Sequence, residues 1–427
     1  MGETLVVHKY VTHDMVQKAR ETIADVIHQT PLLPSQTFSQ ICKRPVFLKA
    51  ENLQRTGAFK IRGATNFIAN IPESQRNRGV IAASAGNHAQ GVALASQIQG
   101  VHCTIIMPKG ASTAKVSATR SYGAEVVLHG QNFEDSQAEA ARRGEENHLI
   151  PIPAFDDVHV ITGQGTIGTE ILKDLPDVES VIIPVGGGGL IGGMAVALKE
   201  ARPDITIYGV QAKSCPAAAV SFAEGRNLEI QQKPSIADGI AIKRPSDMTF
   251  SLIQKYVDDI VTVSEDEIAH AILLLMERSK LVVEGAGAVG MAALLQNRIP
   301  TEDRKTVVLL SGGNLDASIL SRIGNHALAY AGRYLVLRVV LHDRPGELAK
   351  LTAVISEAEA NVIELDHHRH GIDLSLNQIE AGITVETRDA DHVTQVINSL
   401  RESGYMPEPP PTPQAQASIL YFRGQDT

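Results

Sequence analysis

Lys60 sits in the run Glu51-Asn52-Leu53-Gln54-Arg55-Thr56-Gly57-Ala58-Phe59-Lys60-Ile61-Arg62-Gly63-Ala64, between an aromatic ring and a helix-like stretch. Alone it reads as a solvated surface charge, the default for any lysine. Three later segments change that reading, because each is an apolar strand breaking into a small-residue turn. They are Val80–Ala83 into Ser84-Ala85-Gly86-Asn87-His88, Val181–Val185 into Gly186-Gly187-Gly188-Gly189, and Val307–Leu310 into Ser311-Gly312-Gly313-Asn314. Four bare glycines offer backbone amides that can close around a phosphate, with a helix dipole behind them. The plainer readings are a tight turn or half of a dinucleotide site. Ser84, Ala85, Gly86, Asn87 and His88 open a helix, so their amides can hold a substrate carboxylate, or Ser84 or Asn87 can simply cap that helix. Phe59 can cover a cofactor ring or pack in the core. Ser311 can face a ring nitrogen with a neutral hydroxyl, or serve as a turn serine. One amine, one phosphate cradle and one carboxylate cradle are together what a phosphate-bearing aldehyde cofactor needs. The cofactor expected on these grounds is pyridoxal 5'-phosphate, with Lys60 as the candidate Schiff-base amine.

The elements needed to bring these groups together are also legible. Short apolar runs such as Cys103–Met107, Glu125–Leu128 and Thr206–Val210 alternate with helical stretches, the mark of a largely parallel sheet covered on both faces. Such a sheet puts its ligands at the carboxyl ends of its strands, where all three turns fall. Near Gly332 the pattern changes to strand, turn, helix, two strands and a helix, predicting a small βαββαβ ferredoxin-like domain. The expected organisation is a catalytic domain over 1–332, a second domain over 333–407 and a proline-rich tail over 408–427. A formal net charge of -9 argues against nucleic acid as a partner. No stretch of about 18 uninterrupted apolar residues points to a membrane span. Cys42, Cys103 and Cys215 are scattered and lack metal spacing, which suits a reducing cytoplasm.

With Thr30-Pro31-Leu32, the lysine segment, Ser84-Ala85-Gly86-Asn87-His88-Ala89-Gln90-Gly91, Gly163-Gln164-Gly165-Thr166, the tetraglycine and Ser311-Gly312-Gly313-Asn314, the chain resembles the threonine ammonia-lyases. These are fold-type II pyridoxal-phosphate enzymes, α/β and tryptophan-synthase-β-like, with two parallel-sheet subdomains and a C-terminal ACT domain. The resemblance implies Lys60 as the cofactor lysine, Asn87 as partner of the ring hydroxyl, Gly186 to Gly189 around the phosphate, and Ser311 at the pyridine nitrogen. It implies conversion of L-threonine to 2-oxobutanoate and ammonia in amino-acid metabolism such as isoleucine biosynthesis, with L-serine as a side substrate. A dehydratase of another β-hydroxy amino acid, such as 3-hydroxyaspartate, and a non-catalytic amino-acid sensor are the alternatives.

Departures from related serine racemases refine this expectation. Ala85 stands where they place a second, proton-exchanging serine. Gln211 and Ala217 stand where they place metal-binding carboxylates, so no Mg2+ or Ca2+ requirement is expected, and a monovalent ion is left open. Ala58 replaces a serine common before the Phe-Lys pair, removing a hydroxyl near the cofactor. His342-Asp343-Arg344-Pro345-Gly346-Glu347-Leu348 resembles the ACT ligand loop, implying regulatory roles for Asp343, as helix cap and ammonium acceptor, for Gly346 and for Asn361. An amino-acid effector and a homo-oligomer, dimer or tetramer, follow from that likeness. The His367-His368-Arg369-His370 tract is not expected to bind metal, because strand alternation splits its side chains between two faces.

Overall fold

The computed structural model describes residues 11–300, 304–369 and 374–408. Apart from Glu408, the expected proline-rich tail lies outside them, as does His370. The chain divides into two compact units, Met1–Asp316 and Ala317–Thr427.

Among the described residues of the first unit there are ten strands: β1 (Leu32–Pro34), β2 (Val46–Ala50), β3 (Val80–Ala83), β4 (Cys103–Met107), β5 (Glu125–Leu128), β6 (Ile150–Pro151), β7 (Ser180–Pro184), β8 (Thr206–Ala212), β9 (Asp259–Val263) and β10 (Thr306–Leu310). They form two sheets. The smaller runs β5-β4-β3-β6 and is parallel throughout. The larger runs β1-β2-β10-β7-β8-β9, parallel except where short β1 pairs antiparallel with β2. Every residue of β7 and β10 is buried, which is why both read as unbroken apolar runs rather than alternating ones.

Lys60 opens the helix Lys60–Ala69, which is sandwiched between the helices Asn87–Gln99 and Val158–Asp174. Its fully buried Ile61 and Ile68 each contribute about 1.5–3 kcal/mol of burial. Close approach explains the glycines in this stack. A Cβ on Gly163 would lie 2.7 Å from Gly63 Cα, and one on Gly91 3.0 Å from the Ile61 nitrogen. Any side chain there would push the lysine-bearing helix off its neighbours.

The second unit carries β11 (Tyr334–His342), β12 (Asn361–His368) and β13 (Gln378–Glu386) as an antiparallel sheet in the order β11-β13-β12. Its helices Glu347–Glu357 and Ala390–Glu402 bury Leu351, Ile355, Val396 and Leu400 in the core they share with the strands. Of the expected last strand, the described residues show one bridge, Glu408 against Arg338.

Candidate functional site

Three parallel strands deliver their carboxyl ends to one cleft of roughly 1520 Å3. Turn Ser84–Gly86 follows β3, Gly186–Gly189 follows β7, and Ser311–Asn314 follows β10. Phe59, Lys60, Ser84, Ala85, Gly86, Asn87, His88, Gly186, Gly187, Gly188, Gly189 and Ser311 all line it. Residues far apart in the chain thus meet as the spacing of strands and turns predicts.

The tetraglycine turn leads straight into the helix Gly189–Ala201. Gly188 has φ +91°, a left-handed conformation natural to glycine, and a Cβ there would lie 2.8 Å from Thr249. A Cβ on Gly189 would come within 2.7 Å of the Phe155 carbonyl, and one on Gly187 would overlap the Phe155 ring. The turn is therefore a backbone-lined cradle at a helix N-terminus, shaped for an anionic group such as a phosphate. No arginine or lysine lies between Pro184 and Gly193.

Lys60 Nζ donates to the Ala154 carbonyl at 2.8 Å and lies 5.2 Å from the Phe59 ring centroid. Desolvation lowers its pKa to about 8, against the opposing pull of the Glu284 carboxylate. The shift brings the uncharged amine, the form that attacks an aldehyde, within reach at mildly alkaline pH. His88 lines the cleft in the first turn of the helix Asn87–Gln99, and its side chain packs inward. It is buried, its Nε2 bonds the Ile152 carbonyl at 3.0 Å, and burial followed by the Lys60 charge brings its pKa to about 3. It is a neutral strut under the turn and offers a substrate carboxylate no positive charge.

Glu284 is the member that sequence reasoning missed. It precedes the helix Gly285–Leu295 as its N-cap, yet its side chain makes no capping bond. Instead Oε1 accepts from Asn87 Nδ2 at 2.7 Å, while Asn314 Nδ2 donates to Asn87 Oδ1 at 2.7 Å and to the Thr56 carbonyl at 2.7 Å. Burial raises the Glu284 pKa to about 7, helped by Asp238 and resisted by the Asn87 bond, Lys115 and the Asn314 backbone. The small residues of Gly285-Ala286-Gly287 were the available signal, since they let this helix start close in. A Cβ on Gly287 would stand 2.7 Å from the Gly312 carbonyl.

The chain that carries this lysine, cradle and polar chain is similar to a set of known proteins. Residues 23–313 match the family model described as pyridoxal-phosphate dependent enzyme, and residues 333–404 match the ACT domain. An L-threonine ammonia-lyase of Thermotoga maritima is 45% identical over 395 residues, covering 92% of this chain and 98% of that protein. The chain belongs to the threonine ammonia-lyase family of pyridoxal-phosphate dependent enzymes. Among solved structures, the processed form of threonine deaminase isoform 2 from Solanum lycopersicum matches with TM-score 0.71 and 36% identity, over 73% of this chain and 87% of that one. Maize serine racemase matches with TM-score 0.70 and 34% identity, over 73% and 97%.

Within this family's frame, the departures take on structural meaning. Ala85 lines the cleft and supplies no exchangeable proton. Gln211 is buried, its Nε2 donating to the Val185 carbonyl at 3.0 Å and its Oε1 accepting from Ala219 N at 2.9 Å, so it ties strand to helix. Ala58 is wholly buried and bridges Gly312, in the turn after β10. Cys42, Cys103 and Cys215 are buried thiols; desolvation raises Cys42 to about 11 and Cys103 to about 12.

In the second unit, Asp343 does not cap the following helix. Gly346, at φ +91°, is the N-cap and no side chain bonds there, while Arg369 Nη2 donates to Asp343 Oδ1 at 3.5 Å. The cause is geometric: the turn carries the Asp343 backbone into a bond with the Asn377 carbonyl, at 2.8 Å, before the helix begins. Asn361 starts β12, opposite Glu386, whereas His342 pairs with Gln378 at the other end of β13. Eight residues of strand separate the two ends, about 27 Å.

Proposed function

We propose that the protein removes the β-hydroxyl and the amino group of L-threonine, releasing 2-oxobutanoate and ammonia, and accepts L-serine as a side substrate. The supporting observation is the convergence of an amine of depressed pKa on a glycine cradle and the Asn87 amide in one cleft. In this reading Gly186–Gly189 hold the phosphate of pyridoxal phosphate, Asn87 and Ser311 its ring, and Lys60 its aldehyde carbon. When bound, the cofactor supplies an electron-accepting ring that lets the substrate's Cα–H bond ionise. Lys60, once free of the cofactor, is the base that receives this proton. The amides of Ser84–Asn87 bind the substrate carboxylate at the start of the helix Asn87–Gln99. Ser311 contributes a neutral hydroxyl, so no carboxylate faces the ring from that turn. Ala85 cannot return a proton to the opposite face of Cα, which supports elimination without racemisation.

Turnover answers to an amino acid such as isoleucine or valine bound by the second unit. Asp343 and Asn361 lie too far apart in one copy to grip one small ligand, which favours a site completed by a second copy and hence a homo-oligomer.

Steady-state kinetics on threonine, serine and threo-3-hydroxyaspartate, with and without isoleucine, test the assignment. Threonine is expected to show the highest kcat/KM, and Lys60→Ala to abolish both turnover and the visible absorbance of the lysine-bound cofactor. Preference for 3-hydroxyaspartate, or binding of amino acids without turnover, overturns it.

A further inference from the structure

Glu284 holds a buried carboxyl that the proton and phosphate chemistry above does not use. Its hydrogen-bond chain has only one self-consistent orientation, fixed from its far end. The Thr56 carbonyl can only accept, so the Asn314 side chain must present its nitrogen there. That same nitrogen contacts the Asn87 side chain, which must therefore present its oxygen. The Asn87 nitrogen is left facing Glu284, which takes one of its two hydrogens. The second hydrogen remains for the cleft that Asn87 lines.

We propose that Glu284 is a positioning residue: its carboxyl oxygen locks the Asn87 amide with a donor toward the cofactor, and its charge opposes that of Lys60. This rests on the cofactor seat proposed above. The charged groups facing Glu284 are Lys60, Asp238 from the short 3-10 helix Asp238–Ile240, and Lys115 from the helix Thr113–Ser121. Asn87 and Asn314 face it as neutral dipoles, and His88, which feels the Lys60 charge, is itself uncharged. Removing the Glu284 charge therefore lets Lys60 lose its proton at lower pH.

Titration of pyridoxal phosphate into the apoenzyme reads this without turnover. Glu284→Gln keeps an acceptor oxygen for Asn87 and, at a pH above the Lys60 midpoint of both proteins, is expected to bind the cofactor within about twofold of wild type. Glu284→Ala leaves Asn87 unheld and is expected to bind about tenfold more weakly, the effect of losing one hydrogen bond to a charged group. Asn87→Ala combined with Glu284→Ala should bind no more weakly than Asn87→Ala alone, because the two act as one unit. In Glu284→Gln the pH midpoint for cofactor capture should also move down relative to wild type. Wild-type affinity in Glu284→Ala, or an unmoved midpoint in Glu284→Gln, overturns the role of Glu284 while leaving the cofactor seat standing. Wild-type affinity in Asn87→Ala removes the seat and this role together. If Glu284→Ala does not fold, the midpoint in Glu284→Gln still decides.

Discussion

Lys60 is held against its own solvation. Folding takes its pKa from the usual 10.5 to about 8, chiefly by burial. Between those values the unfolded chain carries the extra proton, so apoprotein stability rises with pH there; below 8 the full burial cost is present. Lys60→Met in the apoprotein should therefore be more stable than wild type at pH 7 by roughly 1 kcal/mol, a figure reduced for partial solvent access. Urea unfolding at pH 7 and pH 10.5 checks this: the advantage should fade at the higher pH. Lys60 was legible because glycine-rich turns accompany it. Glu284 was not, because a lone glutamate before a helix reads as an ordinary cap, and only the fold turns its carboxyl toward Asn87.

The element that carries Lys60 is anchored from behind by buried charge. Arg62 bonds Glu51 at 2.7 Å and Glu170 at 2.6 Å, and Lys49 bonds Glu170 at 2.6 Å, linking β2, the Lys60–Ala69 helix and the Val158–Asp174 helix. All four side chains are buried. Arg62→Met keeps much of the volume but leaves the Glu51 and Glu170 carboxylates with Lys49 as their neighbouring cation and, at Glu51, the Thr30 hydroxyl as a donor. It should cost about 3–5 kcal/mol, read as a lower urea midpoint. None of these residues stood out in the chain, where Lys49 and Arg62 look like surface charges. The glycines at 63, 91 and 163 were visible, but that they mark helix contacts emerges only from the packing. Strands β7 and β10 were plain because both faces are buried and no polar residue interrupts their middles.

At the scale of the whole chain, a contact-defined boundary at Asp316 and Ala317 stands beside family matches ending at 313 and beginning at 333. We propose that the catalytic machinery is complete before Gly332 and the response to effector lies after it. A chain ended at Gly332 should retain turnover on threonine yet lose any change in KM or kcat caused by isoleucine or valine. Asp343→Ala in the full chain should weaken the response about tenfold without altering turnover in the absence of effector, since the ligand acts only through its preference for one state. Among the described residues no helix is long and apolar enough to cross a membrane.

Residue order alone determined the parallel α/β class, the three strand-end turns, the lysine and the ferredoxin-like pattern after Gly332. All of these are local: burial periodicity and glycine placement are written into neighbouring positions. Tertiary structure decided that Glu284 completes the polar chain, that His88 is a neutral strut, that Gln211 ties strand to helix, and that Asp343 leaves its helix uncapped. Each of those depends on which groups from separate elements meet, from Gln211 and Ala219, 8 residues apart, to Asn87 and Glu284, 197 apart, or on how one turn is bent, and no spacing rule carries that information.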